Sequence, residues 1–216
     1  MWLFKLVSVT NFIAFIVGLI YYKRFSPELK TVFYFVVFGV LTESYTRFHL
    51  HFIMKNTMPI GHFYFPVAFL IMGLFYMQVL KDFIKPKYIL TPIILFVTYC
   101  LINTLFIQSL FEYASLVGSI GAMILFLFSV AFFTKVMVEA KILKLSEEPL
   151  IWINTAVLIY YAANFFYHSL FNVRLNASLE IALLSVKIFA ALNILFYLII
   201  IIGFLKTKKV KQAKAK

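Results

Sequence analysis

Charge is what this chain has least of. Charged residues make up 13% of its 216 residues, whereas hydrophobic residues make up 64%. Such a composition excludes an ordinary soluble domain, and the apolar residues come in long runs, not at the spacing of an amphipathic surface helix. We therefore expect a polytopic membrane protein whose spans use most of the length and leave no room for a separate soluble domain.

Cysteine and aspartate each occur once. Cys100 stands inside an apolar run, so it forms no intramolecular disulfide and is expected to be a buried, inert thiol. The chain has no Gly-x-Ser-x-Gly, Walker or dinucleotide-binding motif, so we expect neither an enzyme nor a cofactor. A metal-dependent membrane hydrolase related to the ceramidases is the enzymatic alternative. It would need histidines and aspartate on the second, third and last spans, whereas the last span has no histidine and Asp82 falls in a loop.

Apolar segments of about 20 residues, the length that a helix needs to cross ~30 Å of hydrocarbon, divide the chain. The seven segments are Leu3–Tyr21, Pro27–Leu50, Phe63–Leu80, Tyr88–Leu110, Ser115–Val138, Pro149–Phe171 and Ser178–Leu205. They predict an all-α protein, a bundle of seven transmembrane helices over residues 1–205 with a basic tail over residues 206–216. The first segment lacks a small-residue cleavage site, so we expect a retained span and not a signal peptide. Ser26, directly before Pro27, and Ser146, three residues before Pro149, predict hydroxyl caps for the second and sixth helices.

Basic residues are distributed unevenly between the two sides of the predicted bundle. Fifteen lie in the first, third and fifth loops and the tail, and Lys187 falls within a span. The four on the other side are Lys5, Arg47, Lys55 and Arg174. By the positive-inside rule, the amino terminus lies outside and the carboxyl terminus is cytoplasmic. The net charge of +12 then reflects topology and attraction of the tail to anionic lipid, so we expect no nucleic-acid partner.

The sixth segment carries polar residues at a regular spacing. Asn154, Tyr161 and His168 recur every seven residues, which is two helical turns, and Asn164 lies near the same face. Because lipid cannot satisfy an amide or an imidazole, this face is expected to point inward, toward other helices or a wet cavity.

Polar residues of several spans fall at one depth, in the outer half of the membrane. They are Glu43, Arg47, Asn103, Asn164, His168 and Lys187. A charge at the centre of a span costs roughly 2.5–3.5 kcal/mol, so Glu43 is expected to pair with Arg47 or Lys187. We expect an outward-facing pocket in which these groups anchor a small polar or amphiphilic ligand and Tyr161 helps to orient it. The alternative is that the same groups satisfy one another as interhelical hydrogen bonds.

The histidines and Lys187 raise two cofactor questions. His49, His51 and His62 surround the second loop and are candidate zinc ligands, but no cysteine or aspartate accompanies them, so we expect no metal site. Lys187 on a seventh helix would suit a retinal Schiff base. That chemistry needs an acidic counter-ion on the third helix, and Phe63–Leu80 contains no acid.

Several scattered stretches together form a recognisable pattern. They are Glu43 near the end of helix two, Asn56 and His62 leading into Phe63-Tyr64, Phe111–Ser115 opening helix five, Glu148–Trp152 opening helix six, and Leu192–Tyr197 with Gly203 in helix seven. This pattern resembles an uncharacterised family of small seven-helix bacterial membrane proteins. The resemblance implies a location in the bacterial inner membrane and seven helices; it carries no activity and no catalytic residues.

Three functional classes follow from these features. The first is a non-enzymatic protein that binds a ligand from the outer side and acts as a sensor or receptor, or as an accessory to a protein partner. The second is a small transporter or oligomeric channel, although a channel requires a polar stripe across the whole membrane, and here the polarity is concentrated in one half. The third is a membrane accessory protein that acts through its basic tail. A homo-oligomer is compatible with each.

Overall fold

Long helices account for nearly all of the part of the chain that the structure describes. The computed structural model describes residues 2–53, 55–140, 142, 144–171, 173 and 176–214, with side chains up to residue 207, and this part contains helices and no strand. The seven long helices are α1 (Trp2–Tyr21), α2 (Pro27–Phe52), α3 (Met58–Leu80), α4 (Pro86–Ile102), α5 (Ser115–Glu139), α6 (Pro149–Ser169) and α7 (Leu179–Lys214). The all-α prediction is confirmed.

Six of these helices are long and apolar enough to cross a membrane, which makes this a multi-pass membrane protein. The exception is α2, whose second half carries Glu43, Arg47, His49 and His51. Its 26 residues suffice to cross, but its composition does not identify it as a span. Large apolar side chains, such as those of Phe106 and Leu179, are exposed on the outer faces of the helices, as contact with lipid requires.

The helix boundaries differ from the predicted ones at three points. Helix α3 begins five residues early, at Met58, because the Asn56 side chain accepts the Met58 N–H at 2.9 Å and proline fits the first turn. Helix α4 ends at Ile102 and continues as a five-residue π-helical turn, Asn103–Ile107. Helix α7 runs without interruption to Lys214, so the backbone of the predicted tail continues the last helix.

The predicted hydroxyl caps are wrong. Ser26 has the extended backbone of an N-cap residue, but its hydroxyl makes no capping hydrogen bond. At the sixth helix the N-cap residue is Glu148, and Ser146 instead accepts the indole N–H of Trp152 with its backbone carbonyl at 3.0 Å. The prolines at the first helical positions therefore define both starts, since their fixed φ suits the first turn.

Six helices form a closed ring, in the order α1, α2, α3, α5, α6 and α7, and α4 packs outside it against α3 and α5. The amino terminus and the connections α2–α3, α4–α5 and α6–α7 lie at one end, here called the distal end. The other connections lie at the basic end. Among the basic residues used for the orientation prediction, Lys141, Arg174 and the tail side chains from Lys208 onward lie outside the described part. The orientation stays a prediction.

The ring interior is packed at the basic end. Asn154 is fully buried there and accepts a hydrogen bond from the Tyr76 hydroxyl at 2.9 Å, while its own amide donates to the Leu150 carbonyl. Ser129 donates to the Asn154 carbonyl at 3.0 Å. Since aromatic and aliphatic side chains such as Phe75 surround this network, polar groups at the basic end are satisfied by one another.

Candidate functional site

A cavity of about 430 Å³ occupies the distal half of the ring. It lies among α1, α2, α3, α6 and α7 and reaches the segment before α5. We call it the tyrosine cavity, because four of its lining residues are Tyr64, Tyr113, Tyr160 and Tyr197. Its other lining residues include Asn11, Gly39, Glu43, Phe65, Phe189 and Asn193. An apolar cavity with a few convergent polar groups is the usual form of a small-molecule site.

One wall of the tyrosine cavity carries a satisfied polar pair. The Tyr160 hydroxyl donates to Asn193 Oδ1 at 3.0 Å, and the Asn193 amide donates to the Phe189 carbonyl at 2.8 Å. Asn164 lies behind this pair and donates to the Tyr160 carbonyl at 2.7 Å. These bonds join α6 to α7 and fix the ring of Tyr160 against the cavity.

The opposite wall holds an unsatisfied amide. Asn11 of α1 is 2% exposed, and its Oδ1 is buried without a hydrogen-bond partner among the described residues. Gly39 of α2 faces it: a methyl group on Gly39 would stand 3.4 Å from the Asn11 amide nitrogen and 3.0 Å from the Tyr197 hydroxyl. The absence of a side chain at Gly39 therefore leaves space where an amide and a phenol converge.

The acid of the tyrosine cavity is Glu43, one helical turn along α2 from Gly39. Its Oε1 accepts hydrogen bonds from Ser8 of α1 and from Arg47 of α2. The Glu43 side chain is 29% exposed and that of Arg47 is 59% exposed, so the pair lies at the mouth of the cavity. The predicted pairing of Glu43 with Arg47 is confirmed, and Ser8 is the third member.

A second cavity, of about 710 Å³, lies beside the first on the side of α4 and α5. We call it the histidine cavity, because buried His168 lines it together with Asn103 and Gln108. His168 Nδ1 is 2.6 Å from the Tyr113 hydroxyl, and Tyr113 lines both cavities. The Tyr113 ring is therefore part of the partition between them.

The π-helical turn places the amide side chains of the histidine cavity. The backbone N–H of Gln108 bonds to the Asn103 carbonyl at 2.8 Å, which closes the wider turn, and the side chains of the same two residues bond at 3.2 Å. Gln108 also donates to the Tyr113 carbonyl at 2.9 Å. Asn103 is thus buried in a local network at the end of α4 and not in contact with Glu43.

The three histidines near the α2–α3 connection have separate environments. His62 is buried between the Thr104 hydroxyl and the Glu112 carbonyl, each at 3.1 Å from a ring nitrogen. His49 bonds to the Asn56 carbonyl at 3.1 Å, and His51 is exposed. In the described part of the chain, no three His, Cys, Asp or Glu side chains gather as metal ligands.

The predicted site residues divide into three groups. Glu43 and Arg47 lie at the tyrosine cavity, and Asn103 and His168 lie at the histidine cavity. Asn164 is buried behind the tyrosine cavity. Tyr161 is half-buried against the core and lines neither cavity.

Lys187 is exposed, like Glu180 two turns earlier on α7, and lines neither cavity. A lysine at such a position would extend its chain along the helix toward the lipid headgroups. Buried Asn154, Asn164 and His168 confirm that the polar face of α6 points inward.

Sequence reasoning missed most of the tyrosine cavity. Asn11 and Asn193 are not among the predicted site residues, and nothing in the sequence distinguishes Tyr64, Tyr160 and Tyr197 from the other tyrosines as binding residues. The available signal was the amide of Asn11 at the middle of a largely apolar α1. Comparison of the chain with protein-family models, with curated proteins and with solved structures gives no match.

Proposed function

We propose that this protein binds a small polar or amphiphilic ligand in the tyrosine cavity and acts as a membrane sensor, receptor or accessory protein. Glu43 anchors the polar end of the ligand at the mouth, where Arg47 pairs with it on the rim, and the aromatic walls hold the apolar part of the ligand. His168 and Asn103 belong to the neighbouring histidine cavity, which Tyr113 separates from the tyrosine cavity. Lys187, outside both cavities, takes no part in binding.

The observation that carries this proposal is the unpartnered oxygen of Asn11. A buried acceptor without a hydrogen bond costs about 1–3 kcal/mol, and buried polar groups in native proteins are rarely left so. Asn11 lines the tyrosine cavity, and no described side chain donates a hydrogen bond to its Oδ1. A ligand whose donor reaches this oxygen would satisfy it.

Native mass spectrometry of the protein purified in mild detergent tests the proposal. Gly39→Leu fills the space between Asn11 and Tyr197, so we expect the variant to lose a small-molecule mass that the wild type carries. Leu41→Trp is the matched control, since it adds bulk to the same helix at a side chain that is 62% exposed. An identical bound mass in the wild type and in folded Gly39→Leu would contradict the assignment of the ligand to this cavity.

A transporter is the second candidate, favoured by cavities at both ends of the molecule. Two cavities of about 460 and 450 Å³ at the basic end share Glu28 and Glu148. They share no lining residue with the tyrosine cavity, and the Tyr76–Asn154 bond lies in the packed layer between the ends. Ligand flux into liposomes containing the protein distinguishes transport from binding, because a receptor binds without flux.

The location that we propose is the bacterial inner membrane, with seven spans, the amino terminus outside and the basic carboxyl terminus in the cytoplasm. The distal end, where the tyrosine cavity lies, then faces the periplasm. The uneven distribution of basic residues supports this orientation. A fluorescent protein fused to the carboxyl terminus should fluoresce, and an alkaline phosphatase fused there should be inactive. Deletion of residues 206–216 tests whether the tail recruits anionic lipid or a protein partner.

A further inference from the structure

Among the described residues that line the tyrosine cavity, the charged side chain is an acid, Glu43, while three threonines and four tyrosines carry hydroxyls that both donate and accept. Glu43 contributes a carboxylate whose Oε2 accepts no hydrogen bond from the described residues, since Ser8 and Arg47 both bond to Oε1. Asn11 contributes its unpartnered Oδ1. No lysine, arginine or histidine is among the lining residues. A ligand that complements these walls supplies positive charge to the Glu43 carboxylate and a donor to the Asn11 oxygen.

Two contacts between α1 and α2 set the spacing of these acceptors. Ser8 touches Glu43, and Asn11 faces Gly39, so each pair is one turn from the other on both helices. A helical turn rises about 5.4 Å, which places the carboxylate and the amide oxygen roughly one turn apart along the same wall. A single ammonium group with several N–H donors can lie between them.

Aromatic rings form much of the remaining surface. Tyr64, Phe65, Tyr113, Tyr160, Phe189 and Tyr197 all line the cavity. The faces of such rings attract cations, and more strongly where water is excluded. The volume of about 430 Å³ is close to three times that of the ~150 Å³ apolar cavity that holds benzene, so an aromatic or aliphatic body fits behind the charged group.

We propose that the ligand of the tyrosine cavity is a primary ammonium compound with an apolar body, held by Glu43 and Asn11 and enclosed by the tyrosines. This inference rests on the proposed function and adds the chemical class of the ligand. The ammonium belongs either to a free amine or to the headgroup of phosphatidylethanolamine.

Arg47 gives the proposal a distinctive consequence. Its guanidinium bonds to the same carboxylate at 3.1 Å but lies on the rim, 59% exposed, and does not line the cavity. It therefore competes with the ligand for Glu43. Removing the carboxylate charge weakens amine binding, whereas removing the guanidinium strengthens it. A purely structural role for the ion pair predicts the same direction of change for both variants.

Calorimetric titration of the protein in phosphatidylglycerol nanodiscs provides the test, with 2-phenylethylamine as the probe and 2-phenylethanol as its neutral analogue of similar shape. We expect the amine to bind about tenfold more tightly than the alcohol, from the charge-assisted bond and the cation–π contacts. Glu43→Gln should remove this preference, and Arg47→Gln should raise amine affinity. Glu180→Gln, at an exposed acid outside the cavity, is the control and should change neither.

Asn11→Leu supplies an independent variant in case Glu43→Gln fails to fold, and it should also weaken amine binding. Nanodiscs with phosphatidylethanolamine separate the two sources: loss of probe binding identifies the lipid headgroup, and unchanged affinity identifies a free amine. Equal affinities for amine and alcohol, both abolished by Gly39→Leu, would overturn the cationic ligand while leaving the binding cavity in place. Failure of both probes to bind would also overturn the cationic ligand. Native mass spectrometry then tests separately whether the cavity binds a small molecule at all.

Discussion

Replacement of Gly118 by alanine tests how closely α5 and α6 approach. A methyl group at this position would stand 2.7 Å from His168 Cγ, 2.8 Å from Nδ1 and 2.9 Å from Cδ2. The His168 ring has little freedom to move away, because it is hydrogen-bonded to Tyr113 and packs edge-on against Phe65 at a centroid distance of 5.5 Å. The substitution therefore forces the helices apart or displaces His168.

Gly61 offers a matched control. Each glycine is the fourth residue of its helix, and a methyl group on Gly61 meets its nearest atom, on Phe65, at 3.8 Å, which is ordinary contact. Alanine gains up to about 1 kcal/mol over glycine from helix propensity at either site. Overpacking at Gly118 costs about 1–3 kcal/mol. The two alanine variants should thus differ in free energy of unfolding by about 1–3 kcal/mol, with Gly118→Ala the less stable.

Reversible unfolding in mixed micelles, followed by circular dichroism, measures this difference, and the shared propensity gain largely cancels between the variants. Equal unfolding free energies for Gly118→Ala and Gly61→Ala would refute the reasoning, since they would mean that α5 and α6 have room for a methyl group. The expected result also supports a role for the small residues of α5 in close helix packing, which the contact of Gly121 with Phe96 illustrates at a second point.

Two further substitutions test hydrogen bonds at opposite ends of the bundle. Tyr76→Phe removes the donor to a fully buried asparagine of α6 and should lower the free energy of unfolding by about 1 kcal/mol. This value lies between the ~0.6 kcal/mol average for hydrogen bonds in membranes and the ~3 kcal/mol cost of a buried acceptor without a donor. The control Tyr88→Phe, at a side chain 62% exposed, should leave the free energy of unfolding unchanged. His62→Ala breaks both bonds that tie α3 to the α4–α5 region and should speed amide hydrogen exchange in residues 108–114, whereas His51→Ala, at an exposed ring, should not. Comparable exchange in the two histidine variants would show that the connection is held by other contacts.

The fold was predictable because the bilayer imposes it. In lipid, a run of about 20 apolar residues must be helical so that its backbone N–H and C=O groups are hydrogen-bonded. The presence of the helices therefore followed from the composition of the chain. Local chemistry was harder to predict. The hydroxyl of Ser26 is predicted to cap α2 and does not, while the side chain of Asn56, for which no capping role is predicted, accepts the first N–H of α3. Whether a side chain caps depends on its rotamer, which the residue type alone does not determine.

The depth of the polar side chains in the membrane was predictable from the sequence, but the direction in which each one points from its helix was not. Glu43 and Arg47 pair as expected, because residues four apart on a helix are neighbours whatever surrounds them. Lys187 shares their depth but faces outward. The start of α7 carries Glu180 and Lys187 on one face among apolar residues, and this pattern does not say whether that face packs inward or points outward. Whether polar groups from separate helices converge depends on the rotation of each helix about its axis as well as on their depth in the membrane.

The choice between a pocket and interhelical hydrogen bonds can be made amide by amide. Asn154 is bonded through both side-chain atoms, and so is Asn193, while Asn164 donates to a backbone carbonyl in its own helix. Helix packing accounts for all three. Asn11 is different, because it is the one asparagine in the described part of the chain with a buried side-chain atom that lacks a partner, and that residue lines a cavity. Helix packing leaves this oxygen without a hydrogen bond, so Asn11 is the position at which a ligand of the bundle should be sought first.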